Sequence, residues 1–296
     1  MQLVFLGTSC MTPTKERNHT ATLLLFEDEG ILVDCGEGTQ RQFKLADIKL
    51  TKVTRILISH WHGDHVLGLP GLIQSLGASD YNKILHIYGP RGTSGRVEAM
   101  MKPYVFYSKV EFKVHEVCEG RFVDADKFQL EARSLEHGID TLGFSFIEKD
   151  RRKINLGFTK KVGIPEGPLL GRLQDGKEVV FKGKQIDPED ATYLVRGKKI
   201  SFISVTMVCK GAFELAQGAD LLVCEAAYAA SLEAKATEYK HMTATQAGQI
   251  ASQSNVKRLV LTHFSARYKD TSEIEEDAKS VFPETTCAFD LMKLRV

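Results

Sequence analysis

The chain has 296 residues, of which 43% are hydrophobic and 26% charged, as in an ordinary globular protein. Its formal net charge of +1 argues against a general nucleic-acid binder, so affinity for a polyanion requires a local cluster of positive charge. No run approaches the roughly 18 apolar residues that a membrane span needs, and the N-terminal segment lacks a basic leader with a long apolar stretch. The six cysteines are scattered without a CxxC pair, so we expect reduced thiols, a cytoplasmic location and no membrane partner.

Short apolar runs alternate with helical patterns along the chain. Buried strands are predicted at 20–26 and 30–36, and a third strand at 55–60 leads into a helical pattern at 68–78. Further strands are predicted at 200–206, 219–226 and 256–264. An Ala- and Gln-rich helix at 243–254, opened by a threonine cap, lies between the last two of these strands. Strands followed by helices on this scale predict a layered α/β fold.

The strongest chemical signal is the run His-Trp-His-Gly-Asp-His at 60–65, which begins where a predicted strand ends. Imidazole and carboxylate are the groups that bind catalytic Zn²⁺. On an extended segment His60 and His62 point the same way, and the turn at Gly63 brings Asp64 and His65 round to a second position. One short peptide therefore serves two adjacent metal ions. A histidine-rich surface loop is the weaker alternative, since four ligand-type residues in six rarely arise by accident.

Residues 149–184 break the pattern of strands and helices, because they contain frequent Gly and Pro together with blocks of basic residues. The segment holds 10 Lys/Arg and 4 Asp/Glu, a net charge of +6, so the other 260 residues carry −5. A polyanion would be bound there. The candidate contacts in this segment are Arg151, Arg152, Lys153, Lys160, Lys161 and Arg172.

The 60–65 motif resembles that of the metallo-β-lactamase superfamily, which implies an αββα sandwich over 1–296. The resemblance implies two metal positions. His137, followed six residues later by a Gly-Phe pair, completes the first position with His60 and His62. His263, at the end of a late strand, completes the second with Asp64 and His65. It also implies that Asp34 orients ligands without binding metal. A helix-capping role is equally possible, and the two roles do not exclude each other.

Three further motifs resemble those of the ribonuclease Z family in particular. The loop Pro-Thr-Lys-Glu-Arg-Asn at 13–18 matches a family loop and makes Lys15 and Arg17 candidate phosphate contacts. Cys-Glu-Ala-Ala at 224–227 and His-Met-Thr at 241–243 resemble two others, keeping Glu225 and His241. The segment 149–184 resembles the family's protruding, flexible arm, which binds tRNA away from the active site. Each motif alone would be weak, but their order around the metal motif is specific.

The resemblance implies an endoribonuclease that removes the 3′ trailer from precursor tRNA with two Zn²⁺ ions per subunit, roughly 3.5–4 Å apart. Asp64 would hold the second ion and the nucleophile. His241, fixed by Glu225, would protonate the leaving 3′ oxygen, because imidazole can carry a proton near neutral pH. The products would be a 3′-hydroxyl on the tRNA and a 5′-phosphate on the trailer. The family resemblance also implies a homodimer.

One position departs from the family pattern. Where the family has a metal-bridging Asp followed by Thr, this chain has Val205 followed by Thr206. No carboxylate lies between Lys199 and Glu214 to replace it. Valine neither binds a cation nor offsets its charge, so the pattern predicts weaker metal binding and lower activity. Two alternative functions follow: a phosphodiesterase or arylsulfatase of the same superfamily acting on small molecules, and a catalytically inactive tRNA-binding protein.

Overall fold

The structure is a computed structural model that describes residues 1–105 and 110–296. Its strands are β1 (Gln2–Gly7), β2 (Ser9–Cys10), β3 (Ala21–Phe26), β4 (Glu29–Val33), β5 (Arg55–Leu57), β6 (Leu85–Gly89), β7 (Phe112–Glu116), β8 (Gly120–Asp124), β9 (Phe128–Glu136), β10 (Asp140–Glu148), β11 (Arg151–Ile154), β12 (Val179–Phe181), β13 (Lys184–Ile186), β14 (Thr192–Val195), β15 (Lys199–Ile203), β16 (Leu221–Glu225), β17 (Leu259–Thr262), β18 (Phe264–Ser265), β19 (Thr285–Cys287) and β20 (Lys293–Arg295). Its α-helices are α1 (Thr39–Leu45), α2 (Gly63–Val66), α3 (Leu69–Gly77), α4 (Thr93–Met101), α5 (Leu156–Val162), α6 (Pro168–Gln174), α7 (Pro188–Ala191), α8 (Lys210–Ala216), α9 (Glu233–Glu238), α10 (Ala244–Gln253) and α11 (Ser272–Lys279).

Two seven-stranded sheets of the described residues form a sandwich, in agreement with the layered α/β fold predicted from the alternating strands and helices. The first sheet has the strand order β20-β1-β3-β4-β5-β6-β7, and the second β19-β17-β16-β15-β10-β9-β8. Residues of α1, α3 and α4 pack with the first sheet in one hydrophobic core, and residues of α8, α10 and α11 pack with the second in another. This is the αββα arrangement, so the predicted fold class is confirmed.

The chain divides into two compact units. The main unit comprises Met1–Val123, Leu130–Phe146 and Lys199–Val296, and the inserted unit comprises Asp124–Gln129 and Ile147–Lys198. The inserted unit contains the antiparallel strand pairs β11–β14 and β12–β13, the helices α5 to α7, and a small hydrophobic core of its own. The predicted arm at 149–184 falls inside this unit, whose bounds are wider than those read from Gly and Pro content.

Local sequence rules account for several elements of the main unit. The helix predicted at 243–254 is observed as α10, and Thr243 caps it in a reciprocal capping box with Gln246. The predicted strands at 30–36 and 256–264 end earlier than expected, because Asp34 and His263 adopt left-handed backbone conformations with φ of 59° and 62°. Among the described helices, none combines the length and hydropathy of a membrane span.

Candidate metal centre

Parallel strand pairs bring the candidate residues of the main unit to the carboxyl ends of both sheets. In the first sheet β4 and β5 run parallel with Val33 opposite Leu57, so Asp34 lies beside the segment that leads to His60. In the second sheet β16 and β17 run parallel with Glu225 opposite Thr262, so His263 follows directly. Parallel strands joined by crossover helices present their carboxyl ends at one edge, where ligand sites form.

The structure gathers the predicted metal ligands into two groups. His60, His62 and His137 form one group, and Asp64, His65 and His263 form the other, with the ligand atoms of each group within 4.8 Å of one another. His62 Nδ1 lies 3.1 Å from His60 Nε2 and 3.2 Å from His137 Nε2. Two nitrogens on a tetrahedral Zn²⁺ with bonds of about 2.0–2.1 Å lie about 3.3–3.4 Å apart, so this spacing fits the ion.

Four imidazoles in these groups are oriented by a hydrogen bond on the nitrogen that faces away from the cluster. Each bond has the imidazole Nδ1–H as donor, because the accepting group is a carbonyl, a carboxylate or a hydroxyl that donates its own proton elsewhere. The pairs are His60 Nδ1 with Ser59 Oγ (2.9 Å), His65 Nδ1 with Asp34 Oδ2 (2.8 Å), His137 Nδ1 with the Lys240 carbonyl (2.8 Å) and His263 Nδ1 with Thr20 Oγ1 (2.6 Å). Their Nε2 lone pairs are therefore left for a cation, as in metal-binding histidines generally.

The protonation of these groups also suits a cation. Burial together with neighbouring imidazoles holds the pKa values of His60 and His263 well below the usual range, and burial lowers that of His137 to about 4. These side chains are neutral at neutral pH, as ligation requires. His65 Nε2 is buried without a hydrogen-bond partner and lies 3.5 Å from Asp64 Oδ2. An unsatisfied buried nitrogen beside a carboxylate is a position that a cation would complete.

Asp34 links the two metal groups. Its carboxylate accepts hydrogen bonds from the Ser59 amide (2.8 Å), the Ser59 hydroxyl (2.9 Å) and His65 Nδ1. Burial disfavours a charged His65, but the negative charge of Asp34 raises the pKa of His65 above its usual range. The same charge would favour a metal cation at His65 Nε2. For the alternative helix-capping role, Gly38 occupies the cap of α1, and no side chain forms a capping hydrogen bond there.

The proton-transfer pair predicted from sequence is also assembled. His241 Nδ1 lies 3.0 Å from Glu225 Oε2 and 3.2 Å from Oε1, and Glu225 is fully buried. Burial disfavours the charged imidazole, but the charge of Glu225 and hydrogen bonds to Cys10 and Glu225 raise the pKa of His241 to about 11. The side chain therefore carries a proton at neutral pH, and its ring centre lies 5.0 Å from that of His137.

Val205 occupies a buried position between the segments that carry two site residues. Val205 is 1% exposed. The amide of the next residue, Thr206, donates to Glu225 Oε1 (2.6 Å), and the Thr206 hydroxyl accepts a hydrogen bond from the Glu136 amide (3.0 Å). Glu136 immediately precedes His137. Among the described residues, Asp64 is the one carboxylate in the metal-binding groups. The family resemblance implies a metal-bridging aspartate at position 205. In the described part of the chain, no carboxylate other than Asp64 belongs to these groups.

The structure separates the candidate phosphate contacts into exposed and internally bonded residues. Lys15 is exposed, whereas Arg17 is 7% exposed and donates to the carbonyls of Ser265 (3.3 Å) and Tyr268 (2.5 Å). The phosphate contact of Arg17 therefore stays a prediction, and in the structure its guanidinium holds the chain that follows His263. In the inserted unit, Arg152 likewise pairs with Glu189, while Arg151, Lys153, Lys160, Lys161 and Arg172 are exposed.

Sequence reasoning missed the residues that orient the imidazoles. Ser59 could have been found, since it directly precedes His60 at the strand end. Thr20 and the Lys240 carbonyl lie 243 and 103 residues from their histidine partners, so no local pattern indicates them. Cys10 was also missed as a neighbour of the site, where its Sγ lies 3.9 Å from His241 Nε2.

Fold and site together define a protein of the metallo-β-lactamase fold with a candidate metal-binding centre. A family model described as Anti-Pycsar protein Apyc1 matches residues 1–147. The chain is 42% identical over 297 residues to ribonuclease Z of Methanothermobacter thermautotrophicus, covering 100% of this chain and 97% of that protein. The crystal structure of the short form of human tRNase Z matches with a TM-score of 0.74 and 29% identity, covering 100% and 99% of the two chains. The metallo-β-lactamase-fold protein YhfI from Bacillus subtilis matches with a TM-score of 0.70 and 17% identity, covering 99% and 98%, which shows the fold alone.

The chain belongs to the ribonuclease Z family. The relationship extends over its full length, and the enzyme is accordingly a nuclease of the hydrolase class. The family predicted from the motifs at 13–18, 60–65, 224–227 and 241–243 is confirmed.

Proposed function

We propose that this chain is a zinc-dependent endoribonuclease that removes the 3′ trailer from precursor tRNA. The observation that carries the proposal is the convergence of two ligand groups beside the His241–Glu225 pair, in a chain of the ribonuclease Z family. The mixture of imidazole and carboxylate donors favours Zn²⁺ over the harder Mg²⁺ and Ca²⁺, which take oxygen ligands. Two groups of three imply two ions per subunit. Six free cysteines support a reducing, cytoplasmic setting.

The residues of the chain have distinct roles in this proposal. Zinc in such a centre activates water as a nucleophile near neutral pH and offsets charge on phosphate oxygens. Asp64 stays ionised because His65 and the Met11 amide, which donates to Oδ2 at 2.8 Å, lower its pKa against the effect of burial. Its carboxylate orients the attacking water. His241 gives its Nε2 proton to the 3′ oxygen as the bond from phosphorus to that oxygen breaks. The tRNA leaves with a 3′-hydroxyl and the trailer with a 5′-phosphate.

The direct test is cleavage of a precursor tRNA that carries a 3′ trailer. We expect the purified chain to release one trailer fragment with a 5′-phosphate, to lose activity with a chelator and to regain it with zinc. The His60→Ala variant is the matched control, since it removes one ligand of the first group and should stay inactive at the same zinc concentration. The proposal is wrong if neither the native chain nor its Val205→Asp variant cuts the precursor at any zinc concentration.

We propose further that the inserted unit binds tRNA as an exosite, through the segment 149–184. The whole unit holds 13 Lys/Arg and 10 Asp/Glu, so the net charge of +3 is lower than the +6 of the segment alone. The surface that binds tRNA must therefore cover only part of the inserted unit. Lys160 and Lys161 lie exposed in the last turn of α5, and Arg172 lies exposed in α6. Such residues bind phosphates without reading sequence.

Substitution of Lys160 and Lys161 by alanine should weaken tRNA binding and make it less dependent on salt. Each phosphate contact releases counterions, so the slope of log affinity against log salt should become shallower by up to about 2. Equilibrium binding measured over a salt series checks this. Hydrolysis of the small substrate bis(p-nitrophenyl) phosphate should stay unchanged. Lys257→Ala with Lys279→Ala removes the same charge from the main unit and should leave the slope as it is; an equal change in this control would remove the exosite proposal.

We propose a homodimer as the functional assembly, with the arm of one subunit helping to hold tRNA at the active site of the other. The support is the family relationship and the small size of the inserted unit relative to a tRNA. Sedimentation at micromolar concentration should show a species near twice the chain mass of 33.0 kDa. A single species at the mass of one chain would contradict the proposal.

A further inference from the structure

A third set of potential ligands lies beside the two predicted metal positions. Cys10, His241 and His263 place one sulfur and two nitrogens within 4.8 Å of one another. The distance from Cys10 Sγ to His241 Nε2 is 3.9 Å, and a tetrahedral Zn²⁺ with bonds of about 2.3 Å to sulfur and about 2.0–2.1 Å to nitrogen separates such atoms by about 3.5–3.6 Å. A shift of a few tenths of an ångström would complete the geometry.

The backbone holds the thiol and one imidazole in place. Cys10 lies in β2, which pairs in parallel with β18 so that Cys10 stands opposite Ser265. His263 immediately precedes β18. The Thr20 hydroxyl donates to the Ser9 carbonyl and accepts from His263 Nδ1, which ties that imidazole to β2. His263 Nε2 and Cys10 Sγ are thus positioned by one small sheet and one bridging hydroxyl.

His241 is prepared as a ligand in the same way as a predicted metal ligand. Its Nδ1–H donates to the buried carboxylate of Glu225, as His65 Nδ1–H donates to the buried carboxylate of Asp34. A carboxylate on one imidazole nitrogen fixes the ring and strengthens the other nitrogen as a metal ligand. The Glu225–His241 pair therefore suits two uses of Nε2: donation of a proton to a leaving group, or binding of a cation.

We propose that Cys10, His241 and His263 form an inhibitory cation position that takes a thiophilic divalent ion such as Zn²⁺ or Cd²⁺. On binding, the Cys10 thiol and the protonated His241 each release one proton to solvent, so that the sulfur coordinates as thiolate and His241 Nε2 as the nitrogen of a neutral imidazole. His263 Nε2 is shared with the second predicted position, so an ion here competes with the ion held by Asp64 and His65. An ion on His241 Nε2 also prevents that nitrogen from carrying the proton for the leaving oxygen. Occupancy therefore stops cleavage.

Cobalt binding tests the position without any enzymatic readout. Titration of the full, metal-free chain with Co²⁺ should produce near-ultraviolet absorption from thiolate-to-cobalt charge transfer as the ion reaches excess. The Cys10→Ser variant should lack this band. Cys118→Ser is the matched control, because Cys118 is exposed and belongs to none of the metal-binding groups among the described residues. A missing band in the native chain, or one that persists in Cys10→Ser, overturns the proposal and leaves Cys10 as packing beside Ala227 and Tyr228.

Inhibition by excess metal tests the consequence, which rests on the proposed function. Cleavage of precursor tRNA should fall as Zn²⁺ or Cd²⁺ exceeds the amount that gives the highest rate. Cys10→Ser should raise the concentration for half inhibition by at least about tenfold, the scale of metal-affinity losses in such sites. Equal inhibition of both proteins contradicts the proposal. Absence of cleavage with a cobalt band present would reject the proposed function alone, whereas cleavage without a band would reject only the inhibitory position.

Discussion

Replacement of His241 by glutamine is expected to slow cleavage of precursor tRNA by about 100- to 10,000-fold, the usual contribution of a positioned general acid. The reason is that His241 carries a proton at neutral pH, since the buried Glu225 carboxylate raises its pKa to about 11 against the opposing effect of burial. Glutamine keeps the size of the side chain but cannot give up a proton. Single-turnover cleavage at saturating enzyme measures the loss, because it separates the chemical step from product release.

A substrate with a good leaving group separates proton donation from other roles of His241. The leaving p-nitrophenolate of bis(p-nitrophenyl) phosphate needs no proton, so His241→Gln should slow its hydrolysis by less than about tenfold. Equal losses on both substrates would show that His241 positions metal or substrate instead. Ion content at the two predicted positions should match that of the native chain, since His241 belongs to neither.

The pH dependence of stability and of the cleavage rate tests the interaction between the His241 imidazole and the Glu225 carboxylate. The folded-state pKa of His241 lies above that of an unfolded histidine, so the pair stabilises the fold fully below the unfolded pKa and loses this contribution as pH rises through about 11. In Glu225→Gln the carboxylate charge is gone and His241 loses its proton at lower pH. The alkaline limb of the pH–rate profile should therefore move to lower pH. An unmoved limb would mean that another group supplies the proton.

Replacement of Val205 by aspartate is expected to raise both the metal content and the cleavage rate, by about 10- to 100-fold for the rate. Asp64 is the one carboxylate in the metal-binding groups of the described residues, so two dications there repel each other with little negative charge between them. The backbone at 205 is fixed by Thr206, which bonds to Glu225 and to the residue before His137. An anion introduced at 205 would adjoin the segments that carry His137 and Glu225. Metal analysis and cleavage of precursor tRNA check the two effects.

The same substitution should make stability depend on metal. Position 205 is 1% exposed and adjoins the segment bonded to the buried Glu225, so an unpaired carboxylate there costs folding free energy. We expect Val205→Asp to melt below the native chain without metal and to gain more in Tm when zinc is added. Val205→Asn is the control, because it matches the size without the charge and should restore neither metal content nor rate. Equal zinc content and equal rates in the native and Asp proteins would show that another group already bridges the ions.

The sequence by itself determined the features that depend on neighbours along the chain. The spacing of His60, His62, Asp64 and His65 around a strand end and a glycine turn predicted two ligand pairs, and the structure places them in two groups. The apolar runs predicted the strands, and Thr243 with Gln246 encodes the start of α10. These signals are local, since side-chain direction in a strand and capping at a helix start are set within a few residues.

The family resemblance, rather than spacing, supplied His137 and His263 as partners of these pairs. Nothing in the residues around either histidine shows which distant segment it meets. The parallel register of β16 with β17, reached through a crossover helix, decides that His263 lies at the same edge as Glu225.

Only the tertiary structure decided which atoms face the centre and which charged residues are free to bind. The Thr20 hydroxyl and the Lys240 carbonyl select the nitrogen that His263 and His137 present. Arg17 is a predicted phosphate contact because of its charge and its place in a family motif. In the structure, the backbone carbonyls that accept hydrogen bonds from its guanidinium lie 248 and 251 residues away along the chain. The physical reason is that a buried polar group takes whichever partner folding brings within hydrogen-bond reach, and that partner leaves no pattern in the adjacent sequence.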